Sequence, residues 1–453
     1  MSQLKEIAQH IKNSGHNKVK LAVVDIDGIL RGKVVSLDKF LSIAEGGMGF
    51  CDVVFGWDSS DKSYDNVSIT GWHTGYPDAD AFIDLDTFRS IPWGHGLPFF
   101  LADFTKPNGE KLAACPRGLL KKIKKQAEDA GFQPMFSQEF EWFNFMSTPQ
   151  EIDDKGLEPI KHLTPGMFGY SILRSSFKRD YFNAIFDQCE QFGIPLEGLH
   201  TETGPGVYEA AIQYSDILIA ADRATLFKTS IKEIAYQHGV MATFMAKWSS
   251  SLPGNGGHVH QSLWDKEGNN NLFYDAADPF KMSALMKNYL AGQLHCLPYI
   301  LPMYAPTVNS YKRLVEGAWA PTTLTWGVDN RTTAFRVLCG SSKAARLETR
   351  VIGSDVNPYL AMAACLASGL YGIAHELELK VPNTIGNGYR DDQNGSLPGN
   401  LRDATAEMKD SPLANELFGE AFVQHFTQTR EWEWREFCSQ VTDWERKRYF
   451  EII

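Results

Sequence analysis

Residues 346–350 read RLETR and place a charged side chain at every second position. In a β-strand successive side chains point to opposite faces, so Arg346, Glu348 and Arg350 would share one face and the Leu and Thr between them the other. The simpler interpretation is an exposed strand face with two neighbouring ion pairs, because charged side chains usually stay at the surface. The alternative is a polar functional face, and the rest of the sequence decides between them.

Three other stretches repeat this spacing of polar side chains. They are QEFEWF with Glu139 and Glu141, GGHVHQSLW with His258, His260 and Ser262, and HTETGPGVYEA with His200, Glu202 and Glu209. In the third stretch a Gly-Pro-Gly turn can fold the second carboxylate back beside the first. Each stretch alone also has a structural explanation, as an edge strand or as packed, hydrogen-bonded histidines.

A cavity shared by these strands would hold many carboxylates. They are Glu139, Glu141, Glu202, Glu209 and Glu348, with His258 among them. Carboxylates at this density repel one another unless cations neutralise them, and oxygen ligands with one or two imidazoles suit Mg²⁺ or Mn²⁺. The same region is rich in cationic side chains, namely Arg313, Arg331, Arg336, Lys343, Arg346 and Arg350. This combination predicts ATP-dependent phosphoryl transfer to a carboxylate or a similar acceptor.

The composition is that of an ordinary globular protein. The chain has 453 residues, of which 43% are hydrophobic and 22% charged, so more than one domain is expected. A net charge of -11 argues against a nucleic-acid surface, which needs basic patches. The 7 cysteines form no CxxC pair, which favours reduced thiols over disulfides or a zinc knuckle.

The N-terminus and the hydropathy pattern predict a cytoplasmic protein. The first 18 residues read as a polar amphipathic helix without the apolar core of a signal peptide. No apolar run approaches the length that a membrane span needs. We therefore expect no membrane partner.

The order of elements predicts a small sheet-rich unit followed by a domain of mixed helices and strands, which together make an α+β fold with two domains. Residues 17–105 contain short β-rich runs, and Asp27-Gly28 joins the first two as a hairpin or a tight strand connection. Farther along, helical and strand patterns interleave and the tail is helical, with Thr442 and Glu445 placed as a capping box. The expected strands are at 134–145 and 241–248, and the expected helices at 115–131, 180–193, 221–239 and 413–453. We place the domain boundary between residues 108 and 109.

Seven motifs in order give the chain its resemblance to a known family. They are EFEWF, HTETGPGVYEA, GGHVHQSLW, NSYKRLVEGAWAP, DNRTTAFRV, KAARLETR and DVNPYLA. Their order and spacing resemble those of the glutamine synthetase family over almost the whole chain. The resemblance implies an N-terminal β-grasp domain and a catalytic domain whose curved antiparallel sheet forms a funnel flanked by helices. It also implies stacked rings of subunits, a dodecamer, with active sites between neighbours.

The resemblance implies a role for each motif residue in activating glutamate with ATP for attack by an amine. Two or three divalent cations per site are implied. The implied ligands are Glu141, Glu202 and Glu209 for the first metal, and Glu139, His258 and Glu348 for the second. Arg313 and Arg350 would hold glutamate beside Gly254 and His258, and Arg331 and Arg336 would hold the transferred phosphoryl group. Lys343, Arg346, His260 and Ser262 fall at nucleotide-contacting positions.

Several residues depart from the family pattern. Trp319 in GAWAP replaces the flap Glu that takes a proton from ammonium in ammonia-using members. Val207 replaces a polar residue, and Pro253 stands where an Asn contacts glutamate. The loop that completes the neighbour's site contains Asp58 or Asp61 as counterpart of the catalytic Asp. Gly395 replaces the tyrosine that is adenylylated in regulated bacterial enzymes, so that control is expected to be absent.

These departures favour a γ-glutamyl-amine ligase that uses an organic mono- or polyamine. An ammonia-using glutamine synthetase is the second hypothesis, and a catalytically silent structural or sensory relative is the third. A separate motif, VVDIDGI, resembles the nucleophile motif of aspartyl-phosphate phosphatases. Because it lies in a small N-terminal sheet, we interpret Asp25 and Asp27 as turn residues.

Overall fold

A computed structural model describes residues 3–104, 112–157 and 160–453. Within these ranges six strands form one sheet in the N-terminal part and nine form a second sheet in the rest of the chain. Helices cover the second sheet on its outer side. The expected domain boundary at residues 108 and 109 lies outside the described residues and stays a prediction.

The strands fall into two groups along the chain. The first sheet contains β1 (Lys18–Val24), β2 (Leu30–Ser36), β3 (Met48–Cys51), β4 (Asp78–Ile83), β5 (Arg89–Ile91) and β6 (Leu97–Asp103). The second contains β7 (Phe132–Phe145), β8 (Leu196–Thr201), β9 (Val207–Ile212), β10 (Ser215–Asp216), β11 (Met241–Thr243), β12 (Val259–Asp265), β13 (Trp326–Val328), β14 (Phe335–Leu338) and β15 (Arg346–Thr349).

The helices are spread along the described residues. They are α1 (Gln3–Asn13), α2 (Leu37–Ile43), α3 (Pro116–Asp129), α4 (Pro149–Lys155), α5 (Ile172–Phe177), α6 (Arg179–Gln191) and α7 (Ile217–Gln237). There follow α8 (Ala284–Ile300), α9 (Ser310–Arg313), α10 (Pro358–Ala374), α11 (Leu401–Lys409), α12 (Pro412–Phe418), α13 (Glu420–Cys438) and α14 (Asp443–Tyr449).

The N-terminal sheet contains the hairpin that the sequence predicts. β1 and β2 pair antiparallel from Lys18 to Val24. Asp25 Oδ1 accepts hydrogen bonds from the backbone N–H groups of Asp27 and Ile29 at 3.0 and 2.9 Å. Asp25 and Asp27 are therefore turn residues, as expected, and the resemblance to a phosphatase nucleophile is misleading.

The second sheet is built around the long strand β7. Its strand order is β13-β14-β15-β12-β7-β9-β8, and β10 and β11 also pair with β7. All of these pairs are antiparallel except β13 with β14. The expected α+β fold with a curled sheet and outer helices is confirmed.

The outer face of this sheet forms the main core. Phe140 on β7 stacks on Phe227 of α7 at 5.8 Å between ring centroids. Trp142 packs on Phe244 in the same cluster. Because β7 alternates, burying these aromatic rings turns Glu139 and Glu141 to the opposite, concave face. The fold thus orients the candidate site.

Some expected boundaries are shifted in the structure. The strand expected at 241–248 ends at Thr243, because the chain beyond it leaves the ladder with β7. Helix α7 begins at Ile217, before the expected residue 221, because Asp216 caps it by accepting a bond from Leu218 N at 3.1 Å. The capping box of Thr442 and Glu445 is confirmed. In the part of the chain that the structure describes, every helix is too short or too polar to span a bilayer.

Candidate active site

Two rows of polar side chains cross the concave face of the second sheet. One row follows paired residues of β7, β12, β15 and β14 and contains Ser137, His260, Glu348 and Arg336. The other follows β7, β9 and β8 and contains Glu141, Glu209 and His200. Glu139 lies between the rows on β7. Strand pairing therefore collects residues from distant motifs into one site.

The first group of candidate metal ligands is Glu139, His260 and Glu348, with His258 beside them. One ligand atom from each of the first three lies within 4.8 Å of the others. His258 Nδ1 is 3.3 Å from Glu348 Oε1 and 3.9 Å from Glu139 Oε2. The structure thus brings together Glu139, His258 and Glu348, the implied ligands of the second metal. It also places His260, expected at the nucleotide, in the same group.

Local charges hold the carboxylates of this group ionised. Burial raises the pKa of Glu348, but Arg350, His260 and His258 outweigh it and lower the pKa to about 2. Burial also raises the pKa of Glu139, yet His260 and His258 hold that pKa well below its ordinary value. Burial, together with Arg350, lowers the pKa of His258 to about 4. Anionic carboxylates and neutral imidazole are the forms that bind a cation.

The second group of candidate ligands is His200, Glu202 and Glu209. One ligand atom from each lies within 4.8 Å of the others. His200 Nδ1 is 3.9 Å from Glu202 Oε2, and His200 Nε2 is 3.8 Å from Glu209 Oε2. Glu202 N donates to Val207 O at 3.0 Å across the Gly-Pro-Gly turn. The turn returns the second carboxylate to the first, as the sequence predicts.

Glu141 adjoins the second group and adds to its negative charge. It pairs with Glu209 across β7 and β9, and its Oε2 accepts a hydrogen bond from Gly256 N at 2.6 Å. Burial, together with Glu141, Glu139 and Glu202, raises the pKa of Glu209 to about 10. Burial also raises the pKa of Glu141. These shifts express the repulsion that a bound cation would relieve.

The side chains fit divalent cations. Glu202 Oε2 is buried and has no hydrogen-bond partner among the described residues. His260 Nε2 and Glu139 Oε1 approach to 3.1 Å without hydrogen-bonding geometry, as two ligands of one ion would. Carboxylate oxygens with one or two imidazoles suit Mg²⁺ or Mn²⁺.

Two arginines neutralise Glu348 within the first group. Arg336 Nη1 is 2.9 Å from Glu348 Oε2, and Arg336 Nη2 is 2.5 Å from Asp329 Oδ1. Arg350 Nη1 pairs with Glu348 Oε1, and Arg350 Nε donates to Arg331 O at 2.9 Å. The side chain of Arg331 is exposed. The exposed strand face considered for RLETR is wrong, because Glu348 has no exposed surface.

Arg313 lies behind the same group, next to the residues that the resemblance assigns to glutamate. Its Nη1 donates to Val351 O at 2.9 Å and its Nη2 to Arg350 O at 3.2 Å. Arg313 Nη2 is also 3.5 Å from His258 Nε2. A Cβ on Gly254 would lie 2.8 Å from Arg313 Cγ, so only glycine allows this close contact. The four expected glutamate-side residues are adjacent.

A cavity of about 360 Å³ opens beside the first group. Its wall includes Ser262, Lys343, Arg346, His260 and Glu139. Arg346 Nε donates to His260 Nδ1 at 3.1 Å, which links the cavity wall to the candidate metal ligands. The four residues expected to contact nucleotide therefore share one cavity.

The departures from the family pattern lie in different surroundings. Val207 is buried among Phe143, Phe145 and other apolar side chains, which explains an apolar residue there. Trp319 is 60% exposed and has a φ of 59°, a left-handed backbone conformation that is uncommon for a bulky residue. The structure offers no account of Pro253.

Asp58 and Asp61 are both hydrogen-bonded or ion-paired within their own chain. Asp58 Oδ1 accepts two backbone N–H groups of the following turn at 2.8 and 2.9 Å, and its Oδ2 accepts Trp432 Nε1 at 3.1 Å. Asp61 Oδ1 is 2.8 Å from Arg31 Nη1. A part for either residue in a neighbour's site stays a prediction.

Two residues of the site were missed in the assignment of roles from sequence. His200 flanks the Gly-Pro-Gly turn and was noted there, but the resemblance gave it no ligand role. Tyr170 stacks on His200 with ring centroids 4.5 Å apart, and its backbone N donates to Thr201 O at 2.6 Å. Burial, with Glu202 and Glu209, raises the pKa of Tyr170. The loop around Tyr170 has no periodicity that would signal this contact.

A curled sheet that gathers carboxylates, imidazoles and guanidiniums beside a cavity is typical of an enzyme that transfers a phosphoryl group from a nucleotide polyphosphate to an acid. The sequence profile described as "Glutamine synthetase, catalytic domain" matches residues 113–449. The chain therefore belongs to the glutamine synthetase family and is a ligase that forms C–N bonds. Members of this family use ATP and divalent metal ions.

Particular relatives carry different names. The chain is 52% identical over 450 residues to the type-1 glutamine synthetase 2 of Dictyostelium discoideum, covering 99% of this chain and 86% of that protein. It is 37% identical over 454 residues to the glutamate–isopropylamine ligase of a Pseudomonas species, covering 100% and 98%. It is 36% identical over 437 residues to the gamma-glutamylethanolamide synthetase of Streptomyces coelicolor, covering 96% and 92%.

A solved structure shares the fold. The GmaS/ADP complex superposes with a TM-score of 0.84 at 28% identity, covering 98% of this chain and 99% of that one.

Proposed function

We propose that this ligase joins the γ-carboxylate of glutamate to an organic amine. The observation that carries the proposal is Trp319, an exposed aromatic residue at the flap position where ammonia-using members have a glutamate. Two relatives are named for isopropylamine and for gamma-glutamylethanolamide, and both support an organic nucleophile.

The activation step would use the residues that the family resemblance assigns to glutamate, phosphate and nucleotide. The γ-carboxylate oxygen of glutamate attacks the γ-phosphorus of ATP, which forms γ-glutamyl phosphate and releases ADP. Arg313 and Arg350 orient glutamate, Arg331 and Arg336 hold the transferred phosphoryl group, and Lys343 with Arg346 contacts the nucleotide. Divalent cations, once bound, neutralise phosphate and carboxylate charge.

The ligand assignment follows the two groups of the site. The first metal belongs to the second group: we assign it to Glu141, Glu202 and Glu209, with His200 as a further donor. The second metal belongs to the first group: we assign it to Glu139, His258 and Glu348, with His260 at its edge towards the nucleotide. The convergence within 4.8 Å of ligand atoms of Glu202 and Glu209, and of Glu139 and Glu348, supports these assignments. His258 lies 3.3 Å from Glu348, and Glu141 is paired with Glu209 across β7 and β9.

The second step depends on the nucleophile pocket. The amine nitrogen forms a bond to the carbonyl carbon, phosphate leaves, and the nitrogen loses a proton. The indole of Trp319 accepts no proton, but its face attracts an alkylammonium and packs on its carbon chain. Tyr170 is 67% exposed beside Glu202 and Glu209 and offers a second aromatic surface. An organic amine gains from these surfaces, whereas ammonia does not.

Assembly and location form part of the proposal. The family resemblance supports stacked rings of subunits in which Asp58 or Asp61 completes a neighbour's site. The sequence supports a cytoplasmic location. The family commonly forms homo-oligomers. Ammonia-using glutamine synthetase is the second candidate function, favoured by the 52% identity to a protein of that name.

The test is phosphate release from ATP with Mg²⁺ or Mn²⁺ and glutamate, with products identified by mass. Ammonium is compared with isopropylamine, ethanolamine, putrescine and spermidine. Turnover selective for an organic amine supports the proposal. Turnover with ammonium alone would establish the second candidate, and absence of turnover with every amine would favour another acid or a silent relative.

Substitution of Trp319 tests its role directly. Trp319→Glu should create ammonium-dependent turnover and reduce organic-amine turnover, because it restores a proton acceptor and removes the aromatic surface. Trp444 is 61% exposed, in α14, and Trp444→Glu is the matched control for a new surface carboxylate. If both variants show the same relative turnover with ammonium and the organic amines, Trp319 does not belong to the nucleophile pocket.

A further inference from the structure

The helix-facing side of strands β12 and β15 carries a buried hydrogen bond. Gln261 follows His260 on β12, and Thr349 follows Glu348 on β15, so both point away from the cavity. Gln261 Nε2 donates to Thr349 Oγ1 at 2.8 Å. Gln261 is 1% exposed and Thr349 is not exposed at all. A side-chain bond therefore joins the two strands directly behind the paired residues His260 and Glu348.

Helix α8 extends this bond into a network. Gln293 Nε2 donates to Gln261 Oε1 at 2.6 Å, and Thr349 Oγ1 donates to Gln293 Oε1 at 3.2 Å. Tyr289 OH donates to Gln261 Oε1 at 2.7 Å. Gln293 Nε2 also reaches the backbone oxygen of Cys365 in α10 at 2.8 Å. The amide oxygens and nitrogens of both glutamines are thus all hydrogen-bonded.

A close contact between α8 and α10 fixes the distance between α8 and the strands of this network. A Cβ on Gly369 of α10 would lie 2.0 Å from Tyr289 Cε2, so the tyrosine ring rests on the helix backbone. This contact holds α8 where Gln293 reaches the strands on one side and Cys365 O on the other. The network therefore connects two helices to the two strands that carry candidate metal ligands.

We propose that Thr349, Gln261 and Gln293 are positioning residues for the metal group formed by Glu139, His260 and Glu348. Apolar contacts between strands and helices are non-directional and tolerate small displacements. Directional bonds that are fully satisfied specify one arrangement. Ligand atoms must be held to within about 0.5 Å, and the network supplies that restraint from the opposite face.

The inference rests on the metal site of the proposed function and is independent of the identity of the amine. It makes a specific distinction between hydrogen bonding and packing. Thr349→Val keeps the volume of the side chain and removes the hydroxyl. Thr349→Ser keeps the hydroxyl and removes the methyl group. A positioning role through hydrogen bonds predicts that only the valine variant weakens metal binding.

The experiment is a titration of the full-length protein with Mn²⁺, followed by electron paramagnetic resonance. Glu348→Gln and Glu202→Gln identify which class of bound Mn²⁺ belongs to which group. Thr349→Val should weaken the class lost in Glu348→Gln by about tenfold, and Thr349→Ser should change it by less than about twofold. The class lost in Glu202→Gln should keep its affinity in both Thr349 variants.

Thr405→Val is the matched control. Thr405 is 2% exposed and its hydroxyl donates to Leu401 O at 2.6 Å within α11. The control should lose comparable stability without any change in Mn²⁺ affinity. Wild-type affinity in Thr349→Val, or equal weakening in Thr349→Ser, would overturn the proposal. Failure of the wild-type protein to bind Mn²⁺ would instead overturn the metal site itself, and this inference with it.

Discussion

Neutralising Glu348 should strongly destabilise the protein when metal ions are removed by a chelator. Its carboxylate is buried and paired with Arg336 at 2.9 Å and with Arg350. Glu348→Gln keeps the shape of the side chain but leaves two guanidiniums without their counter-ion. Because it breaks a buried ion pair from one side, the substitution should lower the free energy of unfolding.

Two lines of reasoning agree on the size of this loss. The pKa of Glu348 is about 2, against an ordinary value of 4.5. The ionised form therefore stabilises the fold by about 3 kcal/mol at pH 7, which is lost as pH falls from 4.5 towards 2. Removing one partner of a buried pair typically costs about 3 to 5 kcal/mol. We expect a loss of about 3 kcal/mol.

Glu209→Gln provides a control of opposite sign. The pKa of Glu209 is about 10 because of burial and neighbouring carboxylates. At pH 7 the folded protein must keep this side chain protonated, which costs up to about 3 kcal/mol relative to the unfolded chain. The glutamine variant should therefore be more stable than the wild type in the absence of metal.

Urea unfolding at pH 7 with EDTA, followed by tryptophan fluorescence, measures both effects. Repetition with excess Mn²⁺ should stabilise the wild type more than either variant. The reasoning is refuted if Glu348→Gln is as stable as the wild type in EDTA, or if Glu209→Gln loses as much stability as Glu348→Gln.

Two further predictions concern buried groups outside the site. Arg117 is 2% exposed and pairs with Asp84, Asp103 and Asp222 at 2.8, 2.6 and 2.9 Å. Arg117→Met should cost about 4 kcal/mol in urea unfolding, and a loss below about 1 kcal/mol would contradict it. Burial, with Arg430, lowers the pKa of His425 to about 4 from 6.5, so its stabilising effect is present above pH 6.5 and is lost as pH falls towards 4. His425→Leu should remove about 2 kcal/mol of the stability change between pH 7 and 5, and unchanged acid sensitivity would contradict this.

The alternation of side chains made much of the fold predictable. Glu139 and Glu141 alternate with Phe140 and Trp142, and this pattern alone predicts which face of β7 is buried. Strand ends were less predictable because they depend on pairing: β11 stops at Thr243 where its ladder with β7 ends. The local sequence does not show where pairing with β7 ends, so the strand expected at 241–248 is too long.

The site was predictable in its members but not in its arrangement. Spacing within each motif identified the carboxylates and histidines. The grouping of His260 with Glu348 arises from the register between β12 and β15, and that of His200 with Glu209 from the register between β8 and β9. Register is set by long-range pairing, so the separate motifs do not show that His260 lies beside Glu348 or that His200 lies beside Glu209.

The two metal groups differ in what neutralises them. Glu348 in the first group is paired with Arg336 and Arg350, so the fold itself supplies cationic partners. The carboxylates of the second group adjoin one another, and burial together with these neighbours raises the pKa of Glu209. A bound cation therefore neutralises little uncompensated negative charge at the first group and much more at the second group. Metal binding should contribute most to order on the side of β8 and β9, where Tyr170 stacks on His200.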